Sequence, residues 1–111
     1  MAGARKRHVP DAGDIVRLQF NPQAGRRPAV VLSPATYNAR TGLMLCCPMS
    51  TQIKGYPFEV RIAGDKPSVV LADQVKSLDW QVRQATPKGK VSQEELFEVR
   101  RKAIALIGKT G

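Results

Sequence analysis

Residues 25–34 read GRRPAVVLSP, and this stretch decides the fold. Its centre, residues 28–32, is an uninterrupted apolar run that contains two valines and has the length of a buried β-strand. Ser33 and Pro34 end the run, because proline cannot donate a strand hydrogen bond. The stretch therefore predicts an interior strand with a basic pair, Arg26 and Arg27, immediately before it.

Short runs with the composition of strands lie on both sides of this stretch. We predict strands at residues 14–20, 43–47, 58–62 and 69–71, the last of which resumes through residues 75–80. Residues 21–25 (NPQAG) form a loop by composition, and residues 36–42 form a turn with room for one helical turn. Short strands at close spacing, separated by turns, favour a small barrel or sandwich.

The last part of the chain changes from a strand pattern to a helical one. Ser92 and Glu95 have the spacing of a capping box, in which each side chain binds a free backbone N–H at the start of a helix. Glu98 and Lys102 form a favourable pair on the charged face, and Gly108 is a stop signal. Apolar side chains recur at helical spacing and cover about half of the circumference: Leu96, Phe97, Val99, Ala103, Ile104, Leu106 and Ile107. A face this wide either packs wholly on the barrel or serves both the barrel and a partner subunit, and we favour the second.

Size and charge indicate a single domain with a polyanionic partner. The chain has 111 residues, and we expect a flexible basic arm at residues 1–8 and one folded domain at residues 9–111. The 18 Lys and Arg residues outnumber the 9 Asp and Glu residues, which gives a net charge of +9. Such a surface attracts polyanions, of which nucleic acid is the commonest, although a protein can also be basic without binding any.

The cysteine and histidine content argues against secreted and metal-binding classes of protein. Cys46 and Cys47 are adjacent, and neighbouring cysteines fit disulfide geometry badly, so we expect reduced thiols and a cytoplasmic location. His8 is the only histidine and no CxxC pattern occurs, so we expect no metal and no cofactor. No apolar run approaches the roughly 20 residues that cross a bilayer, and the start of the chain lacks the apolar region of a signal peptide.

No familiar catalytic motif occurs in the sequence, such as a Walker loop, a GxSxG elbow or an HExxH helix. A ribonuclease that uses two histidines is also impossible here. Catalysis would have to rest on arginine and hydroxyl groups, with a carboxylate as a further option. The candidates are Arg26 and Arg27 before one strand and residues 50–52 (Ser50, Thr51 and Gln52) after the next. Each signal alone is ordinary, since basic pairs flank many strands and hydroxyls at strand ends commonly cap turns.

Four segments taken together are far more specific than any of these motifs. They are residues 10–14, residues 25–34, residues 47–60 (CPMSTQIKGYPFEV) and residues 71–80 (LADQVKSLDW). In this order and spacing they resemble the MazF/PemK family of toxin endoribonucleases, and the resemblance extends over nearly the whole chain.

The resemblance implies a fold, an activity and partners. The fold would be mainly β with one C-terminal helix, a small SH3-like β-barrel of the MazF/CcdB kind, assembled as a homodimer. The activity would be sequence-specific, metal-independent cleavage of single-stranded RNA, which leaves 2′,3′-cyclic phosphate and 5′-hydroxyl ends and inhibits translation and growth. The regulatory partner would be a MazE-like antitoxin whose acidic or hydrophobic tail occupies the RNA groove.

The resemblance also implies roles for individual residues. The catalytic arginine of the family falls on Arg27 and its catalytic threonine falls on Ser50, while Thr51 and Gln52 continue the motif. Serine keeps the hydroxyl but lacks the methyl group that restricts the rotamer, so either Ser50 or Thr51 could carry the role. The loop at residues 21–25 is shorter than in well-known members and lacks their acidic residue, which puts a gating or proton-transfer role for this loop in doubt.

A cyclic-phosphate product requires the 2′-hydroxyl of the substrate as nucleophile. Arg27 suits the transition state, because its planar fork of donors matches two phosphoryl oxygens. The general base is not identified by the sequence.

Further residues are candidates for RNA binding. We predict phosphate contacts for Arg26, Lys54 and Lys76, although a solvated strand edge explains Lys76 equally well. Base reading is predicted for Gln52 and Gln74, and stacking for Tyr56. For the remaining candidates a role other than RNA binding is open. Phe58 and Trp80 are more readily core residues, and Asp73 more readily satisfies buried backbone groups. Arg83, Lys88 and Lys90 are a basic stretch that can hold RNA or the antitoxin tail.

Two functions of other classes compete with this interpretation. A non-enzymatic toxin could poison DNA gyrase in the manner of CcdB, but such proteins act through a Trp-containing apolar end, which residues 108–111 (GKTG) do not provide. A plain RNA-binding barrel suits the charge, but the joint presence of Arg27 with Ser50 and Thr51 favours an enzyme.

Overall fold

The computed structural model describes residues 8–21, 23 and 25–108. These residues form seven strands and two helices. In chain order they are β1 (Asp14–Asn21), β2 (Gly25–Val31), α1 (Ala35–Thr41), β3 (Leu43–Ser50), β4 (Glu59–Ile62), β5 (Ser68–Leu71), β6 (Lys76–Asp79), β7 (Thr86–Lys90) and α2 (Gln93–Ile107). The predicted basic arm at residues 1–8 lies outside the described residues except for His8, so it stays a prediction.

The strands form one antiparallel arrangement in the order β4-β5-β3-β2-β1-β7, with β6 also paired to β3. This confirms the prediction of a mainly β protein with a C-terminal helix. Within the described residues no pairing joins β4 to β7, so the barrel-like sheet does not close into a continuous hydrogen-bonded ring.

Strand β3 is the centre of the sheet. One of its edges pairs with β2, and the other pairs first with β6 along Leu43–Cys46 and then with β5 at Met49 and Ser50. The strand predicted to start at residue 69 and resume to residue 80 is therefore two separate strands, which lie along one edge of β3. A turn separates them, in which the Gln74 N–H donates to the Leu71 carbonyl at 3.0 Å.

Strand β2 begins earlier than predicted. Pairing with β1 continues through Leu18↔Arg27 and Gln19↔Arg26 to Asn21↔Gly25, so both arginines lie within the strand rather than before it. The predicted loop at residues 21–25 loses both of its ends, because Asn21 is the last residue of β1 and Gly25 is the first residue of β2.

Two clusters of apolar side chains form the core, one on each face of β2 and β3. The first includes Val30, Cys47, Met49, Val70 and Val99. The second cluster includes Val16, Leu18, Val31, Met44 and Trp80, which are its largest fully or nearly buried members. Burial of side chains of this size typically stabilises a fold by about 1.5–3 kcal/mol each.

Helix α2 begins with the predicted capping box. Ser92 Oγ accepts the Glu95 N–H at 3.0 Å, and Glu95 Oε1 accepts the Ser92 N–H at 2.7 Å. Gly108 ends the helix as predicted. The predicted pair of Glu98 with Lys102 is not a direct contact: Glu98 binds Arg101 at 2.8 Å, and Lys102 donates to the carbonyls of Pro57 and Glu59.

The apolar face of α2 is only partly covered. Val99 and Ala103 are buried against the barrel, and Leu96 packs beside them. Four large apolar side chains stay between 53% and 77% exposed: Phe97, Ile104, Leu106 and Ile107. The face therefore does not pack wholly on the barrel of its own chain.

A buried polar cluster joins α1 to the barrel. Asn38 is fully buried, and its Nδ2 donates to the Pro10 carbonyl at 2.7 Å and to the Ser33 carbonyl at 3.0 Å. The Ser33 hydroxyl donates to Asn38 Oδ1 at 2.6 Å, and Trp80 Nε1 donates to the Asn38 carbonyl at 2.9 Å. These bonds fix α1, which has two turns rather than the one that the sequence indicates, and they confirm Trp80 as a core residue.

The two cysteines are free thiols, both buried in β3. Burial raises the pKa of Cys46 and of Cys47 to about 12, because an apolar surrounding disfavours the thiolate. No helix in the described part of the chain has the length and apolar content to cross a bilayer.

Candidate active site

Two adjacent pockets lie where β3 ends, and both include Ser50 and Gln52 in their walls. The first has a volume of about 790 Å³ and is lined by the start of β2, the end of β3 and the turn between β4 and β5. The second, of about 270 Å³, lies between the loop at residues 51–58 and the turn after β5. We call them the arginine pocket and the aromatic pocket.

The arginine pocket brings the predicted catalytic residues together. The pairing of β2 with β3 ends at Ala29 and Pro48, and Arg27 and Ser50 lie two residues beyond this pair on their strands, where both line the pocket. Thr51 follows Ser50 and lines the same pocket. Arg27 therefore lines the same pocket as Ser50 and Thr51, although it lies far from them in the sequence.

The Ser50 hydroxyl has a defined environment. Its Oγ accepts the Gln52 N–H at 3.0 Å, a local bond of the kind that serine forms at strand ends. Since the oxygen acts as acceptor in this bond, the hydroxyl proton is left to donate to another group. Ser50 can thus offer a hydrogen bond to a phosphoryl oxygen in the pocket.

Cations dominate the arginine pocket. Its described lining includes Arg26, Arg27, Lys66 and Lys88 against one carboxylate, Asp65. Lys66 and Asp65 were missed by sequence reasoning, since only the pairing of β4 with β5 brings their turn to this edge. Such an excess of positive charge concentrates phosphate groups.

The two neighbouring arginines differ in what they bind. Arg26 Nη2 lies within hydrogen-bond distance of the Arg17 carbonyl at 3.1 Å, the Gln84 carbonyl at 3.0 Å and Thr86 Oγ1 at 2.9 Å. Arg27 is exposed, and its guanidinium has no hydrogen-bond or ion-pair partner among residues 8–21, 23 and 25–108. The Arg26 guanidinium therefore ties β2 to β1 and β7, whereas that of Arg27 is available to a ligand.

The aromatic pocket collects most of the residues predicted to bind RNA. Gln52, Lys54, Tyr56 and Gln74 all line it. Lys76 does not line either pocket. It begins β6 beside Cys46, on the other half of β3.

Aromatic rings form one side of this pocket. Tyr56 is 51% exposed, and its ring centroid lies 5.7 Å from that of Phe58 and 5.9 Å from Lys54 Nζ. Phe58 is half-buried and lines the pocket instead of lying wholly in the core. Asp73 also lines the pocket and is exposed, so the expectation that it satisfies buried backbone groups is wrong.

The basic stretch before α2 is divided by the structure. Lys88 lines the arginine pocket. Lys90 lies 3.6 Å from the buried Asp14 carboxylate, and Arg83 Nη1 donates to the carbonyls of Gln19, at 3.0 Å, and of Phe20. Of the three basic residues, only Lys88 is directed to the candidate site. In the described part of the chain, no group of three His, Cys, Asp or Glu side chains could hold a metal ion.

The sequence and fold were compared with those of known proteins. Residues 11–107 match the family described as PemK-like, MazF-like toxin of type II toxin–antitoxin system. The endoribonuclease toxin MazF of Escherichia coli (strain K12) is 54% identical over 108 residues, which cover 92% of this chain and 97% of that protein.

Solved structures agree with this relationship. A crystal structure of MazF from Deinococcus radiodurans superposes with a TM-score of 0.87 at 49% identity, covering 93% of this chain and all of that one. A crystal structure of MazE–MazF from the same organism gives a TM-score of 0.87 at 48% identity, covering 94% of this chain and all of the matched one. The architecture and these similarities lead to one conclusion: the chain belongs to the PemK-like and MazF-like toxins of type II toxin–antitoxin systems.

Proposed function

We propose that this toxin is an endoribonuclease that cuts single-stranded RNA at specific sequences, without a metal ion, by attack of the substrate's own 2′-hydroxyl. The products are a 2′,3′-cyclic phosphate and a 5′-hydroxyl end, and the consequence in the cell is inhibited translation and growth. The observation that carries the proposal is that Arg27, Ser50 and Thr51 line one pocket, whose described charged side chains are four cations and one carboxylate.

Arg27 stabilises the transition state. Negative charge grows on the phosphoryl oxygens as the pentacoordinate phosphorus forms, and a guanidinium offers two parallel donors to such oxygens. Arginine side chains stay protonated at neutral pH, so Arg27 acts as an electrostatic partner and not as the base that removes the 2′ proton. An exposed guanidinium without a protein partner in the described chain is consistent with this role.

A hydroxyl beside Arg27 supplies a further hydrogen bond to the scissile phosphate. We assign this bond to Ser50, because its oxygen already accepts the Gln52 N–H and its proton can be donated. Thr51 lines the same pocket and is the alternative carrier of the role. Use of the 2′-hydroxyl as nucleophile explains how the toxin would cut RNA and spare DNA.

The aromatic pocket holds nucleotides next to the cleaved bond. Tyr56 offers an exposed ring on which a base can stack. Gln52 and Gln74 carry donors and acceptors that can read base edges, and Lys54 contacts phosphate. Arg26 and Lys76 are the remaining proposed phosphate contacts; Arg26 has fewer donors to offer, because one of its nitrogens binds the sheet.

The toxin acts in the cytoplasm as a homodimer that a MazE-like antitoxin inhibits. The exposed apolar side of α2 supports assembly through this helix. A cation-lined pocket would also receive the acidic or hydrophobic tail of an antitoxin, and the solved MazE–MazF structure shows that a relative binds such a protein.

One experiment separates this function from its rivals. The purified protein is incubated in EDTA with single-stranded RNA, with the same sequence as DNA, and in a gyrase supercoiling assay. We expect RNA cleavage alone, with 2′,3′-cyclic phosphate ends. Inhibition of supercoiling would identify a gyrase poison, binding without cleavage would identify a plain RNA-binding barrel, and cleavage of a substrate that is deoxy at the cut site would refute the 2′-hydroxyl mechanism.

A further inference from the structure

The loop between β3 and β4, residues 51–58, carries Gln52, Lys54 and Tyr56 into the aromatic pocket without regular secondary structure. A loop that selects bases must hold its donors and acceptors in a fixed geometry, because recognition of a base edge depends on direction as well as distance.

The hydrogen bonds of the loop converge on Glu59, the first residue of β4. Glu59 Oε2 accepts the Lys54 N–H at 3.2 Å, and Oε1 accepts the Gly55 N–H at 2.9 Å. The Glu59 N–H in turn donates to the Tyr56 carbonyl at 3.1 Å. Gly55 has a φ of 81°, which L side chains rarely adopt, and this turn directs both N–H groups at one carboxylate.

Helix α2 fixes the C-terminal end of the loop. Lys102 Nζ donates to the Pro57 carbonyl and, at 3.2 Å, to the Glu59 carbonyl. This is why Lys102 does not pair with Glu98 as the helical spacing predicts. The loop is thus held in its middle by the Glu59 carboxylate and near its C-terminal end by the Lys102 ammonium group, and neither residue belongs to the loop.

We infer that Glu59 and Lys102 are positioning residues that set the RNA sequence selectivity of this toxin through the shape of the loop at residues 51–58. The inference rests on the proposed function and deepens it. Glu59 lines the aromatic pocket, but each of its carboxylate oxygens is engaged by a backbone N–H, so it acts on the nucleotide through Lys54 and Tyr56.

The main variant is Glu59→Gln. Glutamine has nearly the same shape but offers one acceptor and one donor group, so only one of the two N–H groups of the loop keeps its partner. The loss of a hydrogen bond to a charged group corresponds to about a tenfold change in an equilibrium. The matched control is Glu94→Gln, which removes one negative charge from an exposed position in the first turn of α2.

The substrate is a single-stranded RNA library with a randomised central segment, cleaved in EDTA and sequenced at the cut ends. For Glu59→Gln we expect the preference among sequences to weaken about tenfold and KM for the preferred sequence to rise about tenfold, with kcat within about threefold of the parent. Glu94→Gln should match the parent in all three. An unchanged sequence preference and KM would overturn the inference, and so would a loss of kcat in a variant that keeps its fold.

A second pair of variants covers the case in which Glu59→Gln does not fold. Lys102→Met keeps the aliphatic stem but removes the donor, and Lys102→Arg restores a cationic donor. We expect Lys102→Met to weaken selectivity in the same direction and Lys102→Arg to recover it. Equal selectivity in the two variants would contradict the role of Lys102.

A readout that needs no cleavage separates this inference from the proposed function. Amide hydrogen exchange at Lys54 and Gly55, followed by NMR, should accelerate about tenfold in Glu59→Gln for whichever of the two N–H groups loses its acceptor, and for neither in Glu94→Gln. Unchanged protection refutes the positioning role even if the toxin cuts RNA, whereas a parent protein that cuts nothing refutes the proposed activity and leaves the exchange result to decide the role of Glu59 in the loop.

Discussion

Arg26 and Arg27 illustrate how one residue step in a strand separates two functions. The guanidinium of Arg26 is tied to β1 and β7, and that of Arg27 faces the arginine pocket with no partner in the described chain. The Arg26 guanidinium, which the sheet holds, stabilises the fold. The Arg27 guanidinium is left open to a ligand and is available for chemistry.

The first prediction concerns Arg27. Arg27→Ala should lower kcat about a thousandfold, the usual cost of removing one preorganised donor from a charged transition state. Arg27→Lys keeps the charge but loses the two-donor fork, so it should recover only part of the rate. Single-turnover cleavage in EDTA measures both, and circular dichroism checks that the fold is kept. Activity of Arg27→Ala within tenfold of the parent would remove Arg27 from the reaction.

The second prediction decides which hydroxyl acts. Ser50→Ala should lower kcat by about a hundredfold or more, as expected for a lost donor at the phosphate, while Thr51→Ala should change it by less than about tenfold. Ser50→Thr should keep most of the activity, because the hydroxyl is retained. The same cleavage assay compares the three variants. The reverse order of Ser50→Ala and Thr51→Ala would transfer the role to Thr51.

Single residues were predictable to different degrees. Ser50 and Arg27 could be named because a motif carries them, and Trp80 because its surroundings are apolar. Glu59 and Lys66 could not, since their places depend on the bonds of a loop and on the pairing of β4 with β5. Asp73 was misjudged because a turn, not the interior, follows β5.

At the scale of elements, local signals were the most informative. The capping box of α2 is complete within four residues, so the sequence alone identifies it. Strand β7 was missed, because Thr86–Lys90 (TPKGK) has no apolar alternation and becomes a strand only by pairing with β1. Pairing with β1 likewise extends β2 over Arg26 and Arg27, whereas composition alone places these two residues outside the strand.

The third prediction concerns acid and the start of α2. Partial burial of Glu95 raises its pKa, but hydrogen bonds from the Ala63 and Ser92 N–H groups and with the Ser92 side chain outweigh burial, so the pKa is lowered from 4.5. A carboxylate with a lowered pKa stabilises the fold above its unfolded-state pKa and loses this contribution as the pH falls through the folded-state value.

The parent should therefore become less heat-stable as the pH falls below about 4.5, the ordinary value from which the pKa of Glu95 is lowered. Glu95→Gln should melt a few degrees lower at neutral pH and show less of this acid dependence, whereas Glu94→Gln should behave like the parent. Thermal unfolding from pH 7 to about pH 3 measures this. Parallel curves for the parent and Glu95→Gln would contradict it.

At the scale of the whole molecule, the fourth prediction concerns assembly. Ile104 is 53% exposed on the apolar side of α2, so Ile104→Glu should place a charge in the proposed dimer interface and yield monomers at micromolar concentration. Ala105→Glu adds the same charge at an adjacent exposed position and should leave the dimer intact. Light scattering after size-exclusion chromatography gives the masses. A monomeric parent, or an unchanged dimer of Ile104→Glu, would exclude α2 as the interface.

Consecutive side chains of β3 point to opposite faces of the sheet, which allows the motions of the two core clusters to be followed separately. Cys46 and Cys47 are consecutive, so one sulfur atom reports on each of the two core clusters. Alkylating agents react with thiolates, and neither sulfur reacts at neutral pH until its own layer opens to solvent. In Cys46→Ser and Cys47→Ser, the remaining sulfur should be alkylated at a rate set by the opening of its layer, which mass spectrometry measures. Different rates would show that the two layers open to solvent independently. A common rate would show that they open as a single cooperative unit.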